Sequence, residues 1–286
     1  MEIKEKNKVE DGVLYLVGTP IGNLADITER AKKVLSEVSF VAAEDTRNSA
    51  KLLMCLGIQK ELVGYFEHNK KTSGERIAAR LLAGESCALI TDAGMPAISD
   101  PGEDIVRLCA DAGIKVSVVP GACAAVSALA LSGLPTGKFV FEGFLSAAKG
   151  ERRSRLEDLK SEPRTLIIYE APHKLKSTLS DMAEIFGEER RISLCRELTK
   201  INEDVMRTTL GEAVAFYAEN DPRGEYVLVI DGSSETVAAE NPLSLLSPEE
   251  HVEHYVALGM KKMDAIKAAA KDRGVSKSEL YSELLK

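Results

Sequence analysis

The chain has 286 residues, 44% of them hydrophobic and 29% charged, with a formal net charge of −8. That length suits two α/β domains and a tail, with room for a sizeable core. The acidic balance excludes a uniformly basic nucleic-acid coat; no window of about 18 apolar residues exists to span a bilayer, and the charged opening residues leave no place for a signal core, so a soluble, cytoplasmic protein without membrane contact is expected.

Val13 to Val17 is an apolar run that stops at Gly18-Thr-Pro-Ile-Gly22, and Asp26-Ile-Thr-Glu29 then opens a helix with a capping-box pattern. Ile27, Ala31, Val34, Leu35 and Val38 recur at helical spacing and supply its buried stripe. The strand, turn, helix order repeats. Phe40 to Ala43 ends at Glu44-Asp-Thr-Arg47 before a helix closed by Gly57, and Cys87 to Thr91 ends at Asp92-Ala-Gly-Met-Pro-Ala-Ile-Ser-Asp100. There Asp100 is a natural N-cap, Pro101 suits the first helical position, Glu103 completes a box and Gly113 ends the helix. Val116 to Val119 breaks at Pro120-Gly121 and re-enters helix through Ala122 to Leu131. Such alternation predicts a mostly parallel sheet covered on both faces.

Gly133-Leu-Pro-Thr-Gly137 reads as a boundary, since these residues do not continue a helix. Beyond it, strands are expected at Phe139 to Phe144, Thr165 to Tyr169, Ile192 to Cys195, Val205 to Thr209 and Tyr226 to Ile230. Helices fall at Arg152 to Lys160, Lys174 to Phe186 and Glu212 to Glu219. Val205-Met-Arg-Thr-Thr alternates apolar with polar, which suits a half-exposed strand in a sheet with antiparallel members. Residues 233–246 lose hydrophobic period and read as a linker. Ser247-Pro-Glu-Glu250 and Ser276-Lys-Ser-Glu279 are capping boxes, and Met263 to Arg273 between them is an alanine-rich helix stopped by Gly274. Helices this short are expected to pack on the body or a partner; their helix, turn, helix order is common and leaves nucleic-acid contact open. The fold expected is thus α/β, with a parallel-sheet N-terminal domain over 12–134, a mixed-sheet domain over 138–232 and a helical extension over 247–286.

Ligands of open α/β sheets bind beyond the carboxyl ends of the strands. Gly18, Gly22, Gly94 and Gly121 let backbone approach a ligand there, and Pro20, Pro96 and Pro120 stiffen the same loops. Gly18-x-x-x-Gly22 is neither a dinucleotide nor a P-loop fingerprint, and no G-x-S-x-G elbow is present. His68, His173, His251 and His254 have no metal-ligand partners at suitable spacing, so no metal is expected. The five cysteines, Cys55, Cys87, Cys109, Cys123 and Cys195, contain no C-x-x-C pair and read as small buried hydrophobes.

Leu14-Tyr-Leu-Val-Gly-Thr-Pro-Ile-Gly-Asn-Leu24, Ala43-Glu-Asp-Thr-Arg47, Thr91-Asp-Ala-Gly-Met-Pro-Ala-Ile-Ser-Asp-Pro-Gly102, Val119-Pro-Gly-Ala-Cys123 and Tyr169-Glu-Ala-Pro-His173 resemble motifs of the tetrapyrrole methylase superfamily. Within it the chain is similar to the branch that methylates small-subunit ribosomal RNA, from about Val13 to Gly232, and its tail to that branch's helical extension. The resemblance implies two α/β domains, a homodimer, and S-adenosylmethionine held between the domains. It places Pro20, Gly94, Met95, Ile98, Cys123, Ala124, Tyr169 and Ala171 at the cofactor. Corrin and diphthamide-pathway members often carry Gly-Asp-Pro where this chain has Gly94-Met95-Pro96, so a carboxylate is missing and contact at Met95 would come from backbone or thioether.

The branch implies methyl transfer to the 2′-hydroxyl of a cytidine in the decoding region of 16S rRNA. A sulfonium carries an activated methyl, so the protein must chiefly align the attacking oxygen and help remove its proton. Glu44, Asp45, Asp92, Asp100 and Glu170 lie at expected strand ends facing the cleft, and Asp45 and Glu170 are the carboxylates singled out for catalysis. Asp45 either aligns the acceptor or pairs with Arg47 to fix the loop. Arg47, His173, Arg196 and Lys200 are the expected RNA contacts, against plain readings as salt-bridge or structural residues. Two other functions stay open: a small-molecule methylase acting on a corrin-like ring, and a catalytically silent RNA-binding assembly factor. The acidic surface favours a structured target, an assembled or partly assembled subunit, over free rRNA.

Overall fold

The computed structural model describes residues 8–233, 243, 246–273 and 275–284. The chain divides after Gly232 into two compact units. Among the described residues, the first unit contains two five-stranded sheets.

The first sheet is parallel throughout, with strands β1 (Val13–Val17), β2 (Phe40–Ala43), β3 (Leu62–Gly64), β4 (Cys87–Ile90) and β5 (Lys115–Val119) in the order β3-β2-β4-β1-β5. Alternate residues of its buried strands feed two cores, as the period of two requires. Val13, Tyr15, Val17, Val41, Ala43, Ala88 and Ile90 pack with α1 (Glu29–Glu37) and Leu53 of α2 (Thr46–Cys55). Leu14, Phe40, Ala42, Cys87 and Leu89 pack with α3 (Lys70–Leu82) and α4 (Gly102–Asp111) on the other face. β3 and α3 are additions to the elements read from sequence.

Two helix starts differ from expectation. α1 is capped by Thr28, whose hydroxyl accepts the Ala31 N–H at 3.0 Å, because Leu24–Asp26 forms a separate 3-10 turn that removes Asp26 from the cap. Asp100 does accept at the start of α4, from the N–H groups of Gly102 (2.7 Å), Ala97 (3.0 Å) and Ile98 (3.1 Å). Glu103, however, reaches Arg107 at 2.8 Å rather than closing a box.

The second sheet has the order β6-β7-β10-β8-β9, with β6 (Phe139–Phe144), β7 (Thr165–Glu170), β8 (Arg191–Arg196), β9 (Asp204–Thr209) and β10 (Tyr226–Ile230). Its β6–β7 pair is parallel and the rest antiparallel, with β9 at the edge. Leu166, Ile168, Leu194, Leu228 and Ile230 face a core shared with α6 (Lys149–Leu159), α7 (Pro172–Phe186) and α8 (Leu210–Glu219). The opposite face, Ile167, Cys195, Val227 and Val229, is covered by Ala125, Ala128 and Leu129 of α5 (Ala124–Ser132). A helix that precedes the Gly133–Gly137 segment therefore belongs by packing to the sheet that follows it.

The second unit contains α9 (Pro248–Ala257), α10 (Lys262–Asp272) and α11 (Lys277–Glu283), around a small core of Val252, Ala265, Ile266, Ala269, Ala270 and Leu280. Ser247 and Ser276 each cap reciprocally with the glutamate three residues on. The linker expected over 233–246, apart from residues 233, 243 and 246, and the helix stop at Gly274 lie outside the described residues. Among the described residues no helix is long and apolar enough to cross a membrane. Of the cysteines, Cys55 is exposed and Cys123 half-buried, which departs from the uniform burial expected; Cys87, Cys109 and Cys195 are buried.

Candidate active site

The carboxyl ends of β1, β4 and β5 are tied together by main chain. Thr19 and Gly94 form an antiparallel bridge, N–H to carbonyl at 2.9 and 3.2 Å, and the buried Thr19 hydroxyl donates to the Thr91 and Gly94 carbonyls. Gly18 lies against Gly121, and the Met95 sulfur accepts the Gly121 N–H at 3.3 Å. The thioether expected at the cofactor thus also fastens two loops. The loop after β4 holds Ala97 and Ser99 at φ of +69° and +63°, a region non-glycine residues rarely enter. A Cβ on Gly143 of β6 would lie 2.8 Å from the Ser99 hydroxyl, so this loop meets the second sheet where β6 shifts register.

Between these strand ends and those of β7, β8 and β10 lies a cavity of about 430 Å³, the size range of small-molecule sites. The first sheet and its loops contribute Ile21, Glu44, Thr91, Asp92, Gly94, Met95, Ile98 and Asp100; the second contributes Phe144, Tyr169, Ala171, Glu197, Lys200 and Glu225. Cys123 and Ala124 close one side at the start of α5. Tyr169 packs edge-on against Phe141 and tilted against Phe144, and its hydroxyl accepts the Ala125 N–H at 3.2 Å. Burial pushes the Tyr169 phenol up to about 12, so the ring stays neutral.

Six carboxylate residues and one lysine line the cavity, but their side chains are not equally free. Asp100 is spent on three backbone N–H groups. Glu170 has no side-chain exposure: Thr178 donates to it at 2.6 Å, the Ala171 N–H at 2.9 Å, and the Lys174 ammonium lies at 2.9 Å. The carboxylate read as catalytic thus anchors the start of α7 inside the protein. Lys200 lies 2.7 Å from Glu197 and 2.8 Å from Glu225. Burial alone would lower its pKa, but these two carboxylates outweigh that and raise it. Lys200 in turn, with the Glu225 N–H, holds Glu197 below the usual carboxylate range. Glu44 accepts from the Thr91 hydroxyl at 2.8 Å, and Asp92 from the Asn48 amide at 2.9 Å.

Of the residues singled out in the sequence, Gly94, Met95, Ile98, Cys123, Ala124, Tyr169, Glu170, Ala171 and Lys200 meet at this cavity. Pro20 does not line it; its neighbour Ile21 does. Asp45 also lies off the wall. It caps α2 through the Arg47 N–H (2.8 Å) and grips the Arg47 guanidinium at 2.7 Å, and that guanidinium holds its carboxyl down at about 2. A carboxylate so engaged is a weak proton acceptor. Arg47 is 85% exposed, and its guanidinium folds back onto the Asp45 carboxylate. His173 sits instead in a separate depression with Lys176 and Asp221, while Arg196 keeps a buried Nε that finds no hydrogen-bond partner among the described residues and reaches Asp204 only at 3.9 Å. Sequence reasoning passed over Phe144, Glu225 and Val227, which come to the site by sheet order and carry no motif of their own.

Residues 13–214 match the family described as Tetrapyrrole (Corrin/Porphyrin) Methylases. The chain belongs to this family. Relatives named Ribosomal RNA small subunit methyltransferase I include that of Halalkalibacterium halodurans, 51% identical over 96% of this chain and 94% of the relative. That of Bacillus subtilis is 48% identical, over 96% and 94%. Among solved structures, uroporphyrin-III-C-methyltransferase from Thermus thermophilus aligns with a TM-score of 0.54 at 23% identity, covering 77% of this chain and 94% of that one. The cobalamin biosynthetic enzyme cobalt precorrin-4 methyltransferase aligns with a TM-score of 0.56 at 17% identity, covering 76% and 94%. At such identity these two likenesses bear on the fold, an α/β tetrapyrrole-methylase architecture with one parallel and one mixed sheet.

Proposed function

We propose that the chain transfers the methyl group of S-adenosylmethionine to the 2′-hydroxyl of a cytidine in the decoding region of 16S rRNA. The observation that carries the reading is the cavity where both sheets end, in a chain up to 51% identical over nearly its whole length to relatives named as small-subunit rRNA methyltransferases. The cavity suits the cofactor: aromatic and thioether walls for an adenosine, and an acid-rich lining for a ligand bearing a sulfonium and an ammonium. A structural neighbour, the Thermus thermophilus uroporphyrin-III methyltransferase, was solved with S-adenosyl homocysteine. When bound, the cofactor supplies an activated methyl on sulfur. Gly94, Met95, Ile98, Cys123, Ala124, Tyr169 and Ala171 would hold it, with Pro20 stiffening the loop beside Ile21.

Arg47, Lys200, His173 and Arg196 are proposed to meet the RNA backbone. The acidic chain is proposed to act on an assembled or partly assembled small subunit, and a cytoplasmic location goes with that substrate. We also read it as a homodimer, its two α/β lobes enclosing the cofactor; Val118, Val126 and Leu131 stay exposed and offer apolar surface to a second copy. Incubation with labelled S-adenosylmethionine and small subunits lacking the modification tests the activity. Label at one cytidine ribose, faster on subunits than on naked rRNA, is the expected result; label on a tetrapyrrole and none on RNA would overturn it.

A further inference from the structure

We propose that Glu44 is the residue that accepts the proton of the acceptor hydroxyl. The assignment rests on the rRNA reading above and takes it to a particular atom. Among the carboxylates of the cavity, Asp100 is engaged by three N–H groups, Glu170 is shut inside the protein, and Glu197 and Glu225 share the Lys200 ammonium. Asp45 is off the wall and bound to a guanidinium. Each of those carboxylates is already engaged by a cation or by backbone N–H groups. Glu44 differs: among the described residues its partner is one neutral hydroxyl, that of Thr91, which orients Oε2 at 2.8 Å. Asp92 is the nearest rival. It is exposed, is held by the Asn48 amide, and stands close enough to Arg47 to feel that cation.

Strand pairing accounts for the position. Ala43 is the last residue of β2 and lies beside Gly64, the last of β3, so Glu44 leaves the sheet at its carboxyl edge. Asp45 turns back to cap α2, which leaves Glu44 half-buried at the cavity wall beside β4. In the transfer, an oxygen lone pair of the 2′-hydroxyl forms the new C–O bond, the methyl–sulfur bond breaks with its electron pair staying on sulfur, and the hydroxyl proton passes to the Glu44 carboxylate, then to water. Before reaction the same carboxylate accepts the hydrogen bond of the 2′-hydroxyl, a group that DNA lacks.

Glu44→Gln keeps the Thr91 contact through its amide oxygen and so preserves the local fold. Relative to the full-length wild-type chain on small subunits, we expect it to lower kcat by at least about 100-fold and to leave S-adenosylhomocysteine affinity by calorimetry within about three-fold. A second readout needs no turnover: without cofactor, the wild-type chain should bind an RNA spanning the target about ten-fold tighter than the same RNA with a 2′-deoxy target, and Glu44→Gln should erase that preference. Wild-type kcat in Glu44→Gln, or its loss in Asp92→Asn instead, overturns the assignment while the rRNA reading stands. No label on RNA from the wild-type chain overturns both.

Discussion

Gly18 and Gly121 meet main chain to main chain: a Cβ on Gly18 would lie 2.7 Å from the Gly121 Cα and nitrogen, and one on Gly121 would lie 2.9 Å from the Gly18 carbonyl. Neither neighbour is a side chain that can swing aside. Gly121→Ala should therefore push the end of β5 from β1 and pull the Met95 sulfur from its N–H partner. We expect a loss of about 1–3 kcal/mol in urea denaturation and at least about ten-fold weaker S-adenosylhomocysteine binding by calorimetry. Gly137→Ala, where an added Cβ meets nothing within 4 Å, should leave both unchanged.

The Asp45–Arg47 clamp predicts a pH response. With its folded pKa depressed to about 2 by Arg47, the carboxylate contributes stability that is present above its unfolded value of about 3.9 and lost as pH falls through the folded one. NMR titration of the Asp45 carboxyl should place its midpoint near 2, and Arg47→Ala should return it toward ordinary aspartate. A midpoint unmoved by Arg47→Ala would show that the α2 amides, not the guanidinium, hold it down.

Asp181 joins α7 to α6. It accepts from Arg152 at 2.6 Å and Arg153 at 3.0 Å, with the Arg152 and Asp181 side chains only 5% and 6% exposed. Asp181→Ala would strand the Arg152 charge inside the second sheet's helical layer. Equilibrium unfolding should register a loss of about 3–5 kcal/mol, whereas Glu184→Ala, which removes only an exposed partner of Arg153, should cost under about 1 kcal/mol.

Tyr169→Phe removes the oxygen that accepts the Ala125 N–H at the start of α5 and keeps the ring. We expect about 0.5–1.5 kcal/mol less stability and a modest rise in the cofactor dissociation constant. Spectrophotometric titration should also lose one phenol that ionises near 12.

Most strands were legible as short apolar runs, β9 as an alternation of apolar with polar residues, and the tail's serine caps because each carries its glutamate three residues on. β3 was not: three residues at a sheet edge present no period, and α3 begins at Asn69 without a side-chain cap bond. Of the neighbours Glu44 and Asp45, sequence singled out the one that the helix cap withdraws, since the exit angle from β2 is a tertiary property. At Glu170 the strand end was legible and the burial was not. It sits at a strand end as expected, but the following turn of helix folds Thr178 and Lys174 over its carboxylate. The partner of α5 was hidden as well, because a helix of Ala, Val, Leu and Ser is apolar all round and declares no face.

That helix bears on how the chain can be divided. A break after residue 134 would part Ala125, Ala128 and Leu129 from Ile167, Val227 and Val229, so the carboxyl fragment would carry a bare apolar sheet face and precipitate. A break at residue 121 sends the helix with its sheet. Two fragments made that way should reassemble in the test tube, and the protein's natural seam is the strand end where its ligand would lie.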